Sequence, residues 1–113
     1  AWYSGNNNTS TTCTNPGSGI YGTKPVKQKL KNELDLYDMS GNVYEWCQDW
    51  YRSPYNYNEP HGPSYRPATN SHRVSRGGGW FYGNDDCRVS SRHSNGPLSR
   101  DTNIGFRVVY KGD

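Results

Sequence analysis

Apolar residues in this chain fall in short, broken clusters, and none recurs at the spacing of a long helix. The clearest pattern is Val43-Tyr44-Glu45-Trp46-Cys47-Gln48-Asp49-Trp50-Tyr51, where aromatic and polar positions mix with no helix start or stop signal. That predicts a strand over 43–51 with an aromatic inner face. Arg73-Val74-Ser75-Arg76 predicts a second, short strand that ends in three glycines. A third is expected near 87–92, and Phe106-Arg107-Val108-Val109-Tyr110 predicts a closing strand over 106–110. No segment supports a helix longer than a turn or two, and there is no internal repeat. Residues 1–23 are rich in Asn, Thr, Ser and Gly and predict an irregular loop after Trp2-Tyr3. Residues 52–72 hold four prolines and no long apolar run. A loop of that length in a compact domain is functional or tightly packed.

Composition changes this picture in one respect. The 113 residues suit one domain, in which about two-thirds of the unfolded surface can be buried. Leu, Ile, Val and Phe total only 14, but there are ten Tyr and four Trp and the net charge is just +3. The expected core is therefore aromatic, with polar ring atoms that need hydrogen-bond partners. No run approaches the roughly 18 apolar residues of a membrane span, and the first residues do not form a signal peptide. The basic run Lys24-Pro25-Val26-Lys27-Gln28-Lys29-Leu30-Lys31 lacks interleaved aromatic residues for base stacking, so it predicts a solvated edge and not a nucleic-acid patch. Three cysteines, Cys13, Cys47 and Cys87, fit neither a dense disulfide scaffold nor a zinc site.

Three motifs carry more specific information. The run Leu36-Tyr37-Asp38-Met39-Ser40-Gly41-Asn42-Val43-Tyr44-Glu45-Trp46 is followed by Arg76-Gly77-Gly78-Gly79-Trp80 and by Ile104-Gly105-Phe106-Arg107. With Trp2-Tyr3-Ser4 and Pro25-Val26 upstream, this order resembles the C-terminal half of the formylglycine-generating enzyme, or sulfatase-modifying factor, family. The resemblance implies an α+β fold of the C-type lectin-like kind, here mostly short strands and long irregular loops with little helix. It covers residues 1–113 as a single domain, about half the usual family length, so the chain is expected to be a fragment that lacks the preceding half, a reduced version of the domain, or one that a partner chain completes. Asp35 stands where the family has Gly, which places a side chain in a turn that favours glycine.

The resemblance also implies a calcium site built from Asp38, Gly41, Val43 and Glu45. Carbonyls two residues apart on an extended chain point the same way, and hard oxygen donors suit calcium. The alternative is that Asp38 caps a turn and Glu45 pairs with an Arg such as Arg76 or Arg107. Catalysis in the family needs two cysteines that hold copper(I), four and nine residues beyond the second Gly of Arg-Gly-Gly. Here Tyr82 occupies the first position, and Cys87 reaches the second only by simple counting. A single thiolate cannot form a two-sulfur copper site, so no copper and no enzyme activity are expected. Cys47 and Cys87 together resemble a pair found in non-catalytic relatives, as packed neighbours or as a disulfide. His61, His72 and His93 lack metal-ligand spacing.

Residues 73–110 contain no Lys, Glu, Gln or Met. Between their fixed-looking Trp, Cys, Arg and Pro positions stand residues that adenine changes in an AAC codon would produce, a pattern similar to that of variable proteins of diversity-generating retroelements. Tyr, Ser, Asn, Asp, His and Gly are also the residues of adaptable binding surfaces. Phe81, Tyr82, Asn84, Asp85, Asp86, Ser91, His93, Asn95 and Asp101 are the candidate ligand-binding residues, with Trp80, Arg76, Arg92 and Arg107 as framework. An ordinary polar loop is the plainer reading. The expected function is non-catalytic ligand binding through a variable surface; the alternatives are an oxidase acting on a protein cysteine and an accessory structural domain. The expected partner is a protein or surface ligand, with neither nucleic-acid binding nor membrane insertion, at a cell surface or in phage or virion display.

Overall fold

The computed structural model describes residues 22–52 and 71–112. The loops expected over 1–23 and 52–72 lie almost entirely outside these residues, as do Cys13 and His61. The described residues build one four-stranded sheet, in spatial order β3-β2-β1-β4. Strand β1 is Tyr44–Trp50, β2 Arg73–Arg76, β3 His93–Asn95 and β4 Ile104–Gly105. β1 pairs antiparallel with β2 through Glu45 opposite Arg76 and Trp46 opposite Ser75. β2 pairs antiparallel with β3, and β4 joins β1 in parallel. No α-helix forms among the described residues, whose one helical turn is a 3₁₀ turn over Asn84–Cys87.

The first two strands fall where alternation puts them. The other two expectations need correction. Residues 87–92 are not a strand: Arg88 N–H bonds to Asp85 O and Ser91 N–H to Arg88 O, so the backbone closes successive turns before β3 begins at His93. Asp, Asn and Ser compete locally for the backbone, which favours turns over a ladder. At the C-terminus β4 stops at Gly105, and residues 106–110 run on with largely exposed side chains. Strand propensity measures fit against a neighbour, and no described strand pairs with that segment.

The core is partly aromatic: Tyr44, Val74 and Trp80 are the buried hydrophobic residues among those described. Buried polar groups tie loops to it. Asn42, at φ +67°, accepts a bond from Lys24 N–H and donates to Lys24 O, while its own carbonyl receives Trp80 N–H at 2.8 Å. Tyr44 N–H bonds to Asn103 O at 2.8 Å. The glycine turn after β2 packs on the same loop, where Gly41 N–H meets Gly77 O. Gly77 and Gly78 both take positive φ, and a Cβ on Gly78 would lie 2.7 Å from Cys87 Sγ. Only glycine lets the 3₁₀ turn sit this close. Asp35 adopts φ +61°, which fits the glycine expected there, and Asn32 Oδ1 steadies the turn by accepting Leu34 and Leu36 N–H.

Candidate functional site

The side chains that follow the glycine turn form a continuous ring cluster. Phe81 meets Tyr82 edge to face with centroids 5.7 Å apart, and Tyr82 lies 6.3 Å from His93 on β3. Both Tyr82 and His93 rest on Tyr44 of β1, at 5.2 Å and 5.4 Å. Phe81 is 52% exposed and His93 is exposed, whereas Tyr44 is 2% exposed. Two sequence-distant segments thus share one aromatic floor. Trp80, buried and edge to face with Phe81, anchors the first segment from below.

Tyr44 is the member of this cluster that the motif reading passed over; the aromatic alternation of β1 was its signal. Its hydroxyl makes no hydrogen bond of ordinary geometry to a described residue. Burial, then the nearby Asp86 carboxylate, pushes its pKa above the usual phenol range. The ring therefore stays neutral and serves as a platform.

The remaining candidates divide. Asn84 and Asp85 are exposed on the 3₁₀ turn beside Tyr82, and Asp85 is ion-paired with Arg88. Asp86 is half-buried and faces Tyr44. Asn95, by contrast, donates to Ser75 Oγ at 2.7 Å and so bonds β3 to β2. Ser91 O accepts from Arg76 Nη1, which also reaches Val89 O. Asp101 Oδ1 accepts from Thr102 N–H in a turn. The structure thus brings together Phe81, Tyr82, His93 and, beside Tyr44, Asp86, while the side chains of Asn95 and Asp101 are engaged in structural hydrogen bonds. Arg76 and Arg107 act as framework, and Arg92 stacks over Tyr51 at 4.6 Å.

Asp38, Gly41, Val43 and Glu45 all line one cavity of about 320 Å³, with Arg107 at its rim. Glu45 accepts both Arg107 Nε at 3.0 Å and Nη2 at 2.7 Å, and Arg107 also reaches Asp38 O. The bidentate bond to Glu45 raises the Arg107 pKa further. Asp38 Oδ2 accepts Lys27 N–H at 2.8 Å, so the turn cap and the Glu45–Arg107 pair are both present. Each carboxylate still has acceptor capacity, while the Arg107 guanidinium already engages both oxygens of Glu45.

Cys47 and Cys87 are free thiols that line a second cavity of about 380 Å³ with Trp46, Met39 and Arg76. Burial raises both thiol pKa values. Such thiols are protonated at neutral pH and poorly nucleophilic. Among the described residues no group of three or more His, Cys, Asp or Glu side chains could hold a metal.

A small β-sheet scaffold that carries an exposed aromatic and small-polar surface is the class these features define. The chain belongs to the sulfatase-modifying factor enzyme 1-like domain family, whose model matches residues 3–111. It is 44% identical over 90 residues to serine/threonine-protein kinase pkn1 of Chlamydia caviae, covering 77% of this chain and 14% of that protein. Formylglycine-generating enzyme of Streptomyces coelicolor is 38% identical over 98 residues, covering 84% of this chain and 31% of the enzyme. The fold is similar to that of Treponema denticola variable protein 1, with a TM-score of 0.68 at 36% identity over 93% of this chain and 34% of that one. The chain thus spans about a third or less of the length of each of these relatives.

Proposed function

We propose that this chain is a non-catalytic ligand-binding domain that displays a changeable surface on a rigid scaffold, as variable proteins of diversity-generating retroelements do. The observation that carries the reading is the cluster of Phe81, Tyr82 and His93, from separate segments, built on the single buried ring of Tyr44. Exposed aromatics supply contact area at low entropic cost, and a fixed floor beneath them reduces what binding must order. The likeness to a variable protein supports the same reading. So does the chemistry at the family's first copper position, where Tyr82 replaces a cysteine.

The oxidase alternative draws on the likeness to a formylglycine-generating enzyme. Incubation with copper and a cysteine-containing sulfatase peptide separates the two: no aldehyde is expected, and catalytic turnover would falsify the binding reading. Sequences of sibling genes separate a display surface from an accessory domain, since display requires substitutions concentrated at face positions such as Phe81, Tyr82, Asn84 and His93. We also propose that Asp38 and Glu45, with the carbonyls of Gly41 and Val43, hold a structural calcium ion, a reading supported by the cavity that all four line.

A further inference from the structure

The aromatic face differs in charge from the chain that carries it. The protein has a net charge of +3, yet residues 77–87, from the glycine turn through the 3₁₀ turn, hold two carboxylates, Asp85 and Asp86, and no Lys or Arg. Basic side chains nearby are engaged elsewhere: Arg88 pairs with Asp85, Arg76 bonds to Val89 O and Ser91 O, and Arg92 stacks over Tyr51. Asp86 enters no ion pair among the described residues. It lies near the Tyr44 hydroxyl, where burial first and this carboxylate next raise the phenol pKa, with Tyr82 also close. The rings around it are steeply inclined: Tyr82 stands at 78° to Tyr44, 84° to Phe81 and 50° to His93. Rings turned this far apart do not make the flat platform on which a sugar stacks. A compact cation, by contrast, is attracted to ring faces that surround it, and centroid separations of 5.2 to 6.3 Å let one charge lie within about 6 Å of two or more rings.

We infer that the ligand of this face is a protein that presents a cationic side chain, arginine or lysine, which seats against Phe81, Tyr82 and His93 with its charge toward Asp86. The inference rests on the reading of the face as a ligand-binding surface and adds the class of ligand. Phe81, at 52% exposed, and His93 offer open ring surface, while Asp86 is half-buried. A cation beside a partly desolvated carboxylate is held more strongly than one in bulk water. Rings alone would accept any apolar group. The carboxylate selects against neutral and anionic groups, because either would cover it without supplying a partner.

Peptides selected from a random library on the polypeptide at the length its gene encodes test this, with Phe81→Ala marking those that use the face. Phe81 is exposed, so its truncation leaves the core in place. The selected peptides that lose binding in Phe81→Ala should be rich in arginine and lysine. Replacing their arginine with citrulline, which keeps the shape and removes the charge, should weaken binding by about 10-fold. That exchange is made on the peptide, so no folding defect can produce the loss. Asp86→Asn should weaken the arginine peptide by about 10-fold and the citrulline peptide by less than about 2-fold, the mark of a direct coupling between the two charges. Peptides that depend on Phe81 but lack basic residues, or that tolerate citrulline, overturn the cationic ligand and leave the face as a binding surface. Phe81-dependent capture of a neutral oligosaccharide on a glycan array overturns it in the same way. Equal effects of Asp86→Asn on the two peptides remove Asp86 from the site and so contradict the proposal. Selected peptides that all bind Phe81→Ala as tightly as the wild type overturn both this inference and the reading of the face beneath it.

Discussion

Tyr44→Phe isolates the physics of the aromatic floor. The ring is 2% exposed and carries Tyr82 and His93, and its hydroxyl finds no hydrogen-bond partner of ordinary geometry among the described residues. A buried, unsatisfied hydroxyl costs about 1–3 kcal/mol, so its removal at pH 7 should leave stability unchanged or raise it by about 1 kcal/mol, with both ring contacts kept. Alkaline pH sharpens the comparison. The phenol pKa is raised in the folded state, first by burial and then by Asp86, so the unfolded chain loses this proton earlier than the folded one. Wild-type stability from this group is complete below the ordinary phenol pKa of about 10 and is lost as pH climbs above it, by about 1.4 kcal/mol per unit. Urea midpoints of the two proteins at pH 7 and pH 11 should therefore differ little at the first and more at the second, with the Tyr44→Phe variant the more stable. A loss above about 1 kcal/mol in the variant at pH 7 would refute this account and assign the hydroxyl a strong hydrogen bond to Asp86, and a gap that fails to widen at pH 11 would refute the raised phenol pKa.

Gly78→Ala should destabilise by about 2 kcal/mol or more in urea unfolding, because its φ of +70° disfavours a Cβ and that atom would press on Cys87 Sγ and on the Asp86 backbone. The same variant should disturb the Tyr82 ring environment, read by near-ultraviolet circular dichroism, whereas Tyr44→Phe should not. Arg107→Gln removes a bidentate, partly buried pair with Glu45 and should cost about 1 kcal/mol in a urea midpoint, leaving the ring cluster intact. Millimolar calcium should raise the Tm of the wild type and not of Glu45→Gln with Asp38→Asn, as expected for an ion that binds only the folded state; equal responses would place any calcium effect elsewhere.

Face residues were legible in the sequence to different degrees. Phe81 and Tyr82 stand out as aromatics next to a glycine turn, and a composition of small polar residues points toward binding without knowledge of the fold. His93 is an isolated histidine in the chain, and it joins them only because β3 pairs with β2 in a register that puts His93 opposite Ser75, beside β1. Asn95 has the same composition signal as the face residues, yet its amide is consumed by Ser75 Oγ. Side-chain bonds of this kind depend on neighbours brought together from twenty residues away, and local pattern carries no record of them.

The local sequence by itself pointed to β1 and β2, since the aromatic and polar positions over 44–50 and the Arg-Val-Ser-Arg run have the composition of half-buried strands. It also determined the glycine turn, because positive φ at Gly77 and Gly78 is costly for any other residue. Tertiary structure decided the rest. Residues 106–110 have strand propensity but no described partner to ladder with, residues 84–87 turn where the glycines give Cys87 room, and Tyr44 becomes the common floor only when three strands lie side by side. Backbone conformation is set by local sterics that a short stretch of sequence encodes, whereas pairing, burial and shared surfaces are free energies of contact between segments and exist only once those segments meet.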